Sequence, residues 1–165
     1  MPGGTLIALV PHMDAGHRHT WRGDQNERPL SELGQRQAEA LAVALAEEYE
    51  IQALFASTAA RAKQTLEPLS AQLGLAIQIE PLLCEKQLGE SKQTLGERGL
   101  QALQTIRAAV GEGVAVAAAH GDIIPATAEL LGSGEVLMRR GQWYELVFDE
   151  RDIAVTMREA AKFPL

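Results

Sequence analysis

Two histidines in this sequence each follow a short apolar run, and histidine can act as a nucleophile, a base or an anion ligand. His12 comes directly after residues 5–11, and His120 comes directly after residues 114–119. Short runs without charge are typical of strands buried on both faces of a parallel sheet. Ligands of such sheets bind beyond the carboxyl ends of the strands. We therefore expect His12 and His120 to lie at one edge of one sheet.

An arginine is expected at the same edge. Arg61 lies in the first turn of a predicted helix that follows another apolar run, residues 53–56. Helix N-termini favour anions, and a guanidinium group binds phosphate oxygens with two donors at once. Taken singly, Arg61 and each histidine are also compatible with solvated surface positions. Their convergence at one edge indicates phosphate chemistry.

The elements that must position these side chains alternate along the chain. Strands are predicted over residues 5–11, 52–57, 76–80 and 114–119, and a hairpin over residues 142–157 with its turn at 149–152. Helices are predicted from Ser31 to residue 49, from Ser57 and Thr58 to Gly74 with a kink at Pro68, over residues 100–110, and from Asp122 to Leu131. Long loops are predicted at residues 13–29 and 81–97. This order predicts an α/β protein, a single three-layer α/β/α domain over residues 1–165 with a mostly parallel central sheet.

The composition narrows the classes of partner. The chain of 165 residues carries a net charge of −7, which argues against nucleic acid and anionic membranes as partners. Cys84 is its only cysteine, so neither an internal disulfide nor a cysteine-rich zinc site is expected. Residues 1–4 lack the basic start of a signal peptide, and no apolar run is long enough to span a membrane. We expect a cytoplasmic protein.

Several segments, in this order along the chain, resemble the histidine phosphatases, also called the phosphoglycerate mutase-like superfamily. Residues 9–12, Leu-Val-Pro-His, stand where the family has an Arg-His signature, and residues 28–38, Arg-Pro-Leu-Ser-Glu-Leu-Gly-Gln-Arg-Gln-Ala, resemble its helix entry. Further similar segments are its second phosphate-binding segment at residues 57–65, its acid-bearing segment at 83–85 and its second histidine segment at 119–121. The small size and the loop at residues 15–24 are most similar to the short phosphohistidine-phosphatase branch, which includes versions fused to Nudix hydrolases.

The resemblance implies a metal-independent phosphatase that needs no cofactor. It implies that His12 attacks phosphorus and becomes a phosphohistidine, while Arg61 and His120 bind the phosphoryl oxygens. It also implies that Glu85 protonates the leaving oxygen and then activates water, with Glu90 as the alternative acid. The expected partner is a small phosphorylated substrate or a protein that carries phosphohistidine.

Pro11 departs from the family pattern, because the resemblance puts an arginine there. Loss of a guanidinium from a phosphate site removes a charge-assisted contact, and by analogy with lost transition-state donors this costs about 2.7–4 kcal/mol, or 10²–10³ in rate. Arg18 is expected to restore part of that charge as a phosphate ligand, and Arg22 is a weaker candidate. The function expected is therefore a weakened phosphatase.

Two alternatives to a phosphatase remain at this point. The first is a catalytically inactive module of the same fold that binds phosphate or a phosphoprotein, and Pro11 favours it. The second is a metal site made by His12, His17 and His19. It is disfavoured because neighbouring arginines would repel a cation and no carboxylate stands at a ligand spacing.

Overall fold

A computed structural model describes residues 4–136, 138–149, 153–159 and 163. Strands and helices alternate through most of this part of the chain, as the sequence predicts. In chain order they are β1 (Thr5–Pro11), α1 (Glu32–Glu48), β2 (Ile51–Ala56), α2 (Ala60–Leu73), β3 (Ile77–Ile79), α3 (Lys92–Val110), β4 (Gly113–Ala119), α4 (Ile123–Leu130), β5 (Gln142–Phe148) and β6 (Ile153–Glu159). No helix in the described part of the chain is long and apolar enough to cross a bilayer.

The strands form one sheet in the order β3-β2-β4-β1-β5-β6. The pairs β1–β4, β2–β4 and β2–β3 are parallel, whereas β5 and β6 are antiparallel to their neighbours. β1 and β4 are in register from Thr5 opposite Gly113 to Pro11 opposite Ala119. The two strands therefore end level, and the residues that follow them, His12 and His120, leave the sheet side by side.

The helices cover both faces of the sheet. Side chains of β1 alternate between them, since Ile7 and Leu9 pack with α3 and α4, while Ala8 and Val10 pack with α1 and α2. Full burial of a side chain such as Ile7, Leu9 or Val10 contributes about 1.5–3 kcal/mol to the free energy of folding. The predicted three-layer α/β/α architecture with a mostly parallel sheet is confirmed.

Some predicted boundaries were wrong. Ser57 and Thr58 do not cap α2, whose N-cap is Ala59 without a side-chain bond. Pro68 lies inside α2, which continues to Leu73 and ends at Gly74 in the left-handed conformation, as predicted. The predicted loop 81–97 is shorter than expected, because α3 begins at Lys92.

The predicted hairpin is confirmed for its two strands. β5 pairs with β6 from Gln142 opposite Glu159 to Phe148 opposite Ile153. Residues 150–152 of the predicted turn lie outside the described residues.

Candidate active site

His12 is oriented by hydrogen bonds to the backbone of Ala119 and Met13. Its backbone N–H donates to Ala119 O at 3.0 Å, which continues the pairing of β1 with β4. Its Nδ1 lies 2.7 Å from Met13 O. A carbonyl oxygen only accepts hydrogen bonds, so Nδ1 carries the proton and Nε2 keeps its lone pair. Met13 is fully buried, and its own N–H donates to Thr65 Oγ1 of α2 at 2.9 Å.

The environment of His12 holds its imidazole neutral. Its pKa is lowered to about 4: burial is the largest cause, the positive charges of Arg61, Arg140 and Arg28 act in the same direction, and the Met13 carbonyl opposes them. Since protonation is disfavoured at neutral pH, Nε2 is available as a nucleophile.

His120 meets His12 edge to face, with the ring centroids 5.4 Å apart and an interplanar angle of 64°. His120 is 3% exposed, and its Nε2 lies 2.8 Å from Ser57 Oγ. Its pKa is lowered to about 2, mainly by burial, with further contributions from the neighbouring His12 and the nearby arginines. Its Nδ1 has no hydrogen-bond partner among the described residues. This buried atom is free to contact a ligand.

Arg61 has no exposed surface, although it is charged. Its Nη1 donates to Gln25 O at 2.6 Å, and its Nη2 lies 3.1 Å from Glu85 Oε2 in an ion pair without hydrogen-bond geometry. Nε and Nη2 have no hydrogen-bond partners among the described residues. Buried donors without partners are costly, and an anion bound beside them would remove that cost.

The two candidate acids are in different surroundings. Glu85 Oε2 contacts the guanidinium groups of both Arg18 and Arg61. Glu90 instead binds Arg98 through Nε and Nη2, each at 2.8 Å, and accepts the N–H of Gln87 at 2.7 Å. The hydrogen bonds from Arg98 lower the pKa of Glu90 to about 2. Glu85 is therefore the carboxylate that the fold brings to Arg61.

The other sequence candidates lie farther out on the loop after β1. Arg18 is part of a 3₁₀ turn, Arg18–Thr20, and its side chain is 58% exposed where it meets Glu85. Arg22 is exposed. The exposed rings of His17 and His19 lie 5.4 Å apart, and no group of three or more potential metal-ligating residues occurs in the described ranges. Among the described residues, His12, His17 and His19 therefore form no metal-ligating group, and the ring of His12 meets that of His120.

Pro11 fits the end of β1 without loss of a sheet hydrogen bond. Neighbouring N–H groups of a strand point to opposite sides. The N–H of His12 points to β4, so the nitrogen of Pro11 faces the side of β5, whose pairing with β1 reaches only Leu9 opposite Tyr144. The position therefore needs no backbone donor.

Several side chains of residues 28–38 form hydrogen bonds with the loop that follows His12. Ser31 donates to Asp14 Oδ2 at 2.6 Å and caps α1, and Gln37 Oε1 accepts the Asp14 N–H at 2.9 Å. A Cβ at Gly34 would lie 2.0 Å from Asp14 O. Arg28 is 7% exposed and donates to carbonyl and amide oxygens of the same loop. This segment thus holds the chain just after the candidate nucleophile, at Asp14 and Ala15.

A cavity of about 560 Å³ opens beside His12. Its lining includes Pro11, Leu33, Gln37, Met138, Arg139 and Arg140. The last three come from the segment between α4 and β5. Sequence reasoning missed Arg139 and Arg140, because this segment follows no buried strand and carries no motif. The one sequence feature that could have indicated them is a pair of adjacent arginines in an otherwise acidic chain.

Comparisons with known proteins identify the family of this chain. The model of the histidine phosphatase superfamily (branch 1) matches residues 12–94. A curated relative from Mycolicibacterium smegmatis, an 8-oxo-(d)GTP phosphatase, is 37% identical over 95 residues, which are 58% of this chain and 29% of that protein. The chain thus matches less than a third of the length of that relative.

Solved structures confirm the phosphoglycerate mutase-like fold. A phosphoglycerate mutase from Bacillus anthracis superposes with a TM-score of 0.82 at 16% identity, covering 94% of this chain and 93% of that one. The protein histidine phosphatase SixA, complexed with tungstate, gives a TM-score of 0.73 at 18% identity, covering 94% and 97%. The matched family segment contains His12, Arg61 and Glu85, and His120 follows it on the next parallel strand. The chain belongs to the histidine phosphatase superfamily, branch 1.

Proposed function

We propose that this chain is a metal-independent phosphatase that hydrolyses a phosphomonoester or a protein phosphohistidine through a covalent phosphohistidine on His12. The observation that carries the proposal is a neutral His12 beside a fully buried Arg61 whose Nε and Nη2 lack hydrogen-bond partners among the described residues. Support also comes from relatives, since the Mycolicibacterium smegmatis protein is an 8-oxo-(d)GTP phosphatase and SixA is a protein histidine phosphatase.

In the first step, the Nε2 lone pair of His12 attacks phosphorus and the bond from phosphorus to the leaving oxygen breaks. Its electron pair passes to that oxygen, which takes a proton from Glu85. Phosphate binding replaces the Glu85 carboxylate on the arginines, and the proton that Glu85 donates comes from solvent or from the water molecule of the preceding turnover. Arg61 and the Nδ1–H of His120 offset the charge of the equatorial oxygens, with the Ser57 hydroxyl donating to Nε2 of His120.

In the second step, Glu85 removes a proton from a water molecule, whose oxygen attacks phosphorus. The bond from Nε2 to phosphorus breaks, and inorganic phosphate leaves. The electron pair of that bond returns to Nε2, so His12 is again neutral, with its proton kept on Nδ1 by the carbonyl of Met13. Every step uses side chains of the chain itself.

A phosphate-binding module without turnover is the second candidate. Pro11 favours it, because this buried apolar side chain lines the cavity beside His12 where the family resemblance puts a guanidinium. Both candidates predict phosphate binding at Arg61. They differ in whether His12 becomes phosphorylated.

Rapid reaction with a radiolabelled aryl phosphate, followed by an alkaline quench, tests the proposal. We expect acid-labile label on the wild type and on the His19→Ala control, whose ring is exposed, and none on His12→Ala. When the aryl phosphate has a good leaving group such as 4-nitrophenolate, the first step needs little help from an acid, so Glu85→Gln should accumulate label because its second step is slowed. Acid-stable label, or label that survives in His12→Ala, would contradict the nucleophile assignment. Binding of inorganic phosphate with neither label nor turnover would favour the binding module.

A further inference from the structure

The cavity beside His12 is positively charged. Of the described residues that line it, the ones with a formal charge are Arg139 and Arg140, and both have exposed side chains. The chain as a whole has a net charge of −7, so this local excess of positive charge runs against the average surface. Two guanidinium groups, with no carboxylate among the described lining residues, favour an anionic ligand.

Arg140 is held next to the candidate nucleophile by an acidic neighbour. Its Nη2 lies 3.5 Å from Asp14 Oδ1, and Asp14 follows His12 by two positions. The hydrogen bond from Ser31 lowers the pKa of Asp14, so this carboxylate stays ionised and keeps its place at the start of α1. One partner carboxylate leaves the pair Arg139 and Arg140 with a net positive charge. That charge acts on the site, because Arg140 contributes to the lowered pKa of His12.

The volume of the cavity indicates where the rest of a substrate lies. Pockets for small ligands measure about 300–1,000 Å³, so about 560 Å³ is more room than one phosphoryl group occupies. The phosphoryl group already has donors at Arg61 and His120, which are not among the described residues of the cavity lining. His12 lines the cavity and also contacts His120, so it lies between the phosphoryl donors and the cavity. A substrate whose phosphorus is in contact with Nε2 therefore extends into the cavity with its remaining part.

We propose that Arg139 and Arg140 form a second anion subsite, and that the substrate is a small molecule with another anionic group, phosphate or carboxylate, besides the reacting phosphoryl group. This inference rests on the proposed function of His12. Leu33 and Met138 supply an apolar contact for the carbon atoms that join the two anionic groups. A protein phosphohistidine, which lacks a built-in second anion, is then the less favoured substrate.

Matched pairs of probes test the subsite. Bisphosphates of straight-chain diols with two to five carbons are compared with alkyl monophosphates of the same length, and phosphoglycolate is compared with ethyl phosphate. We expect wild-type kcat/KM to favour the doubly anionic member by about tenfold or more at the chain length that spans the two sites. Preference for the bisphosphate or for phosphoglycolate distinguishes a phosphate from a carboxylate ligand.

Charge-neutralising variants assign the preference to the two arginines. In Arg139→Gln/Arg140→Gln the preference should fall toward one, whereas Arg36→Gln, on the exposed face of α1, should keep it. A wild-type ratio near one at every chain length, or a ratio equal in both variants, would overturn the subsite. Titration calorimetry of His12→Ala with the same probes measures the ratio of binding affinities without turnover. An inactive wild type, with a variant that still prefers bisphosphates, would therefore contradict the proposed reaction and support the subsite.

Discussion

The proton on His12 is placed by one backbone carbonyl. Met13 O accepts from Nδ1 at 2.7 Å, and Met13 itself is fixed by Thr65 of α2. His120 is neutral for the same main reason, burial, but its polar partner is the hydroxyl of Ser57. Two neutral imidazoles beside a buried guanidinium supply the nucleophile and the neutral donor that the proposed reaction needs. They also avoid the charge repulsion that two imidazolium groups at this distance would produce.

The lowered pKa of His12 predicts an unusual acid limit for the reaction. Only the neutral imidazole can attack phosphorus, so kcat/KM should fall as pH drops through the pKa of the free enzyme, about 4. An ordinary histidine would give the same fall near pH 6.5. The measurement is kcat/KM for an aryl phosphate between about pH 3.5 and 8, corrected for the ionisation of the substrate.

Arg140→Gln removes one of the positive charges that lower this pKa, so its acid limb should move to higher pH. Arg36→Gln, which removes an exposed charge outside the cavity, is the matched control. A limb near pH 6.5 in the wild type, or identical limbs in both variants, would contradict the electrostatic account of His12.

At the scale of elements, α3 organises the loop that carries Glu85. Arg98 of α3 donates from Nη1 to Leu82 O at 2.7 Å and Cys84 O at 2.8 Å, and from Nη2 to Glu85 O at 3.1 Å. Its remaining donors bind Glu90. A single guanidinium on a rigid helix thus ties together the backbone on both sides of Cys84. Arg98 is a positioning residue for Glu85.

Loss of this contact should affect the reaction more than substrate binding. In Arg98→Met we expect kcat to fall by about tenfold or more, equivalent to about 1.4 kcal/mol of barrier, with a smaller change in KM. With 4-nitrophenyl phosphate, whose leaving group needs little help from an acid, phosphohistidine should accumulate, because its release still depends on the placement of Glu85 as a base. Arg36→Met is the control for loss of an exposed arginine. A lower melting temperature with unchanged kcat and no accumulation would leave Arg98 a structural role only.

The start of α3 was predicted wrongly from the sequence, which placed a loop where the helix already begins at Lys92. Residues 92–99 include Gly96 and Gly99, and glycine in a helix interior costs about 1 kcal/mol relative to alanine, which favoured a loop. A Cβ at Gly99 would lie 1.8 Å from Thr127 Oγ1, and one at Gly96 would lie 2.6 Å from Ala126 O. The glycines are needed because α4 packs against them. Contact between two helices cannot be seen in the local pattern of either one.

At the scale of the whole molecule, the part of the site that sequence predicted is the part fixed by sheet topology. His12 and His120 follow parallel strands that end level, so their proximity follows from the strand pattern. Arg139 and Arg140 reach the same place from a segment between a helix and an antiparallel strand. No periodicity relates that segment to β1. Its position depends on tertiary packing.

The buried histidines also link the site to the stability of the whole fold. Folding lowers the pKa of His12 to about 4 and of His120 to about 2, against about 6.5 in the unfolded chain. As pH falls below 6.5, the unfolded chain binds protons that the folded chain does not, so the free energy of unfolding decreases. The stabilisation is complete above pH 6.5 and is lost progressively toward the folded-state pKa values. Folding also lowers the pKa values of Asp14 and Glu90. These two carboxylates therefore decrease the free energy of unfolding only when the pH falls below about 4, where carboxylates of the unfolded chain bind protons.

Urea unfolding at several pH values between about 6.5 and 5 therefore isolates the histidines, because carboxylate effects begin at lower pH. The wild type should lose stability across this range, with a slope that approaches one proton for each of the two histidines. His12→Gln/His120→Gln should show a much flatter dependence, since neither amide titrates. His19→Gln, an exposed position on the loop, is the matched control and should keep the wild-type slope. Equal slopes in the wild type and the double variant would mean that His12 and His120 are not held neutral by the fold, and the nucleophile assignment would lose its electrostatic basis.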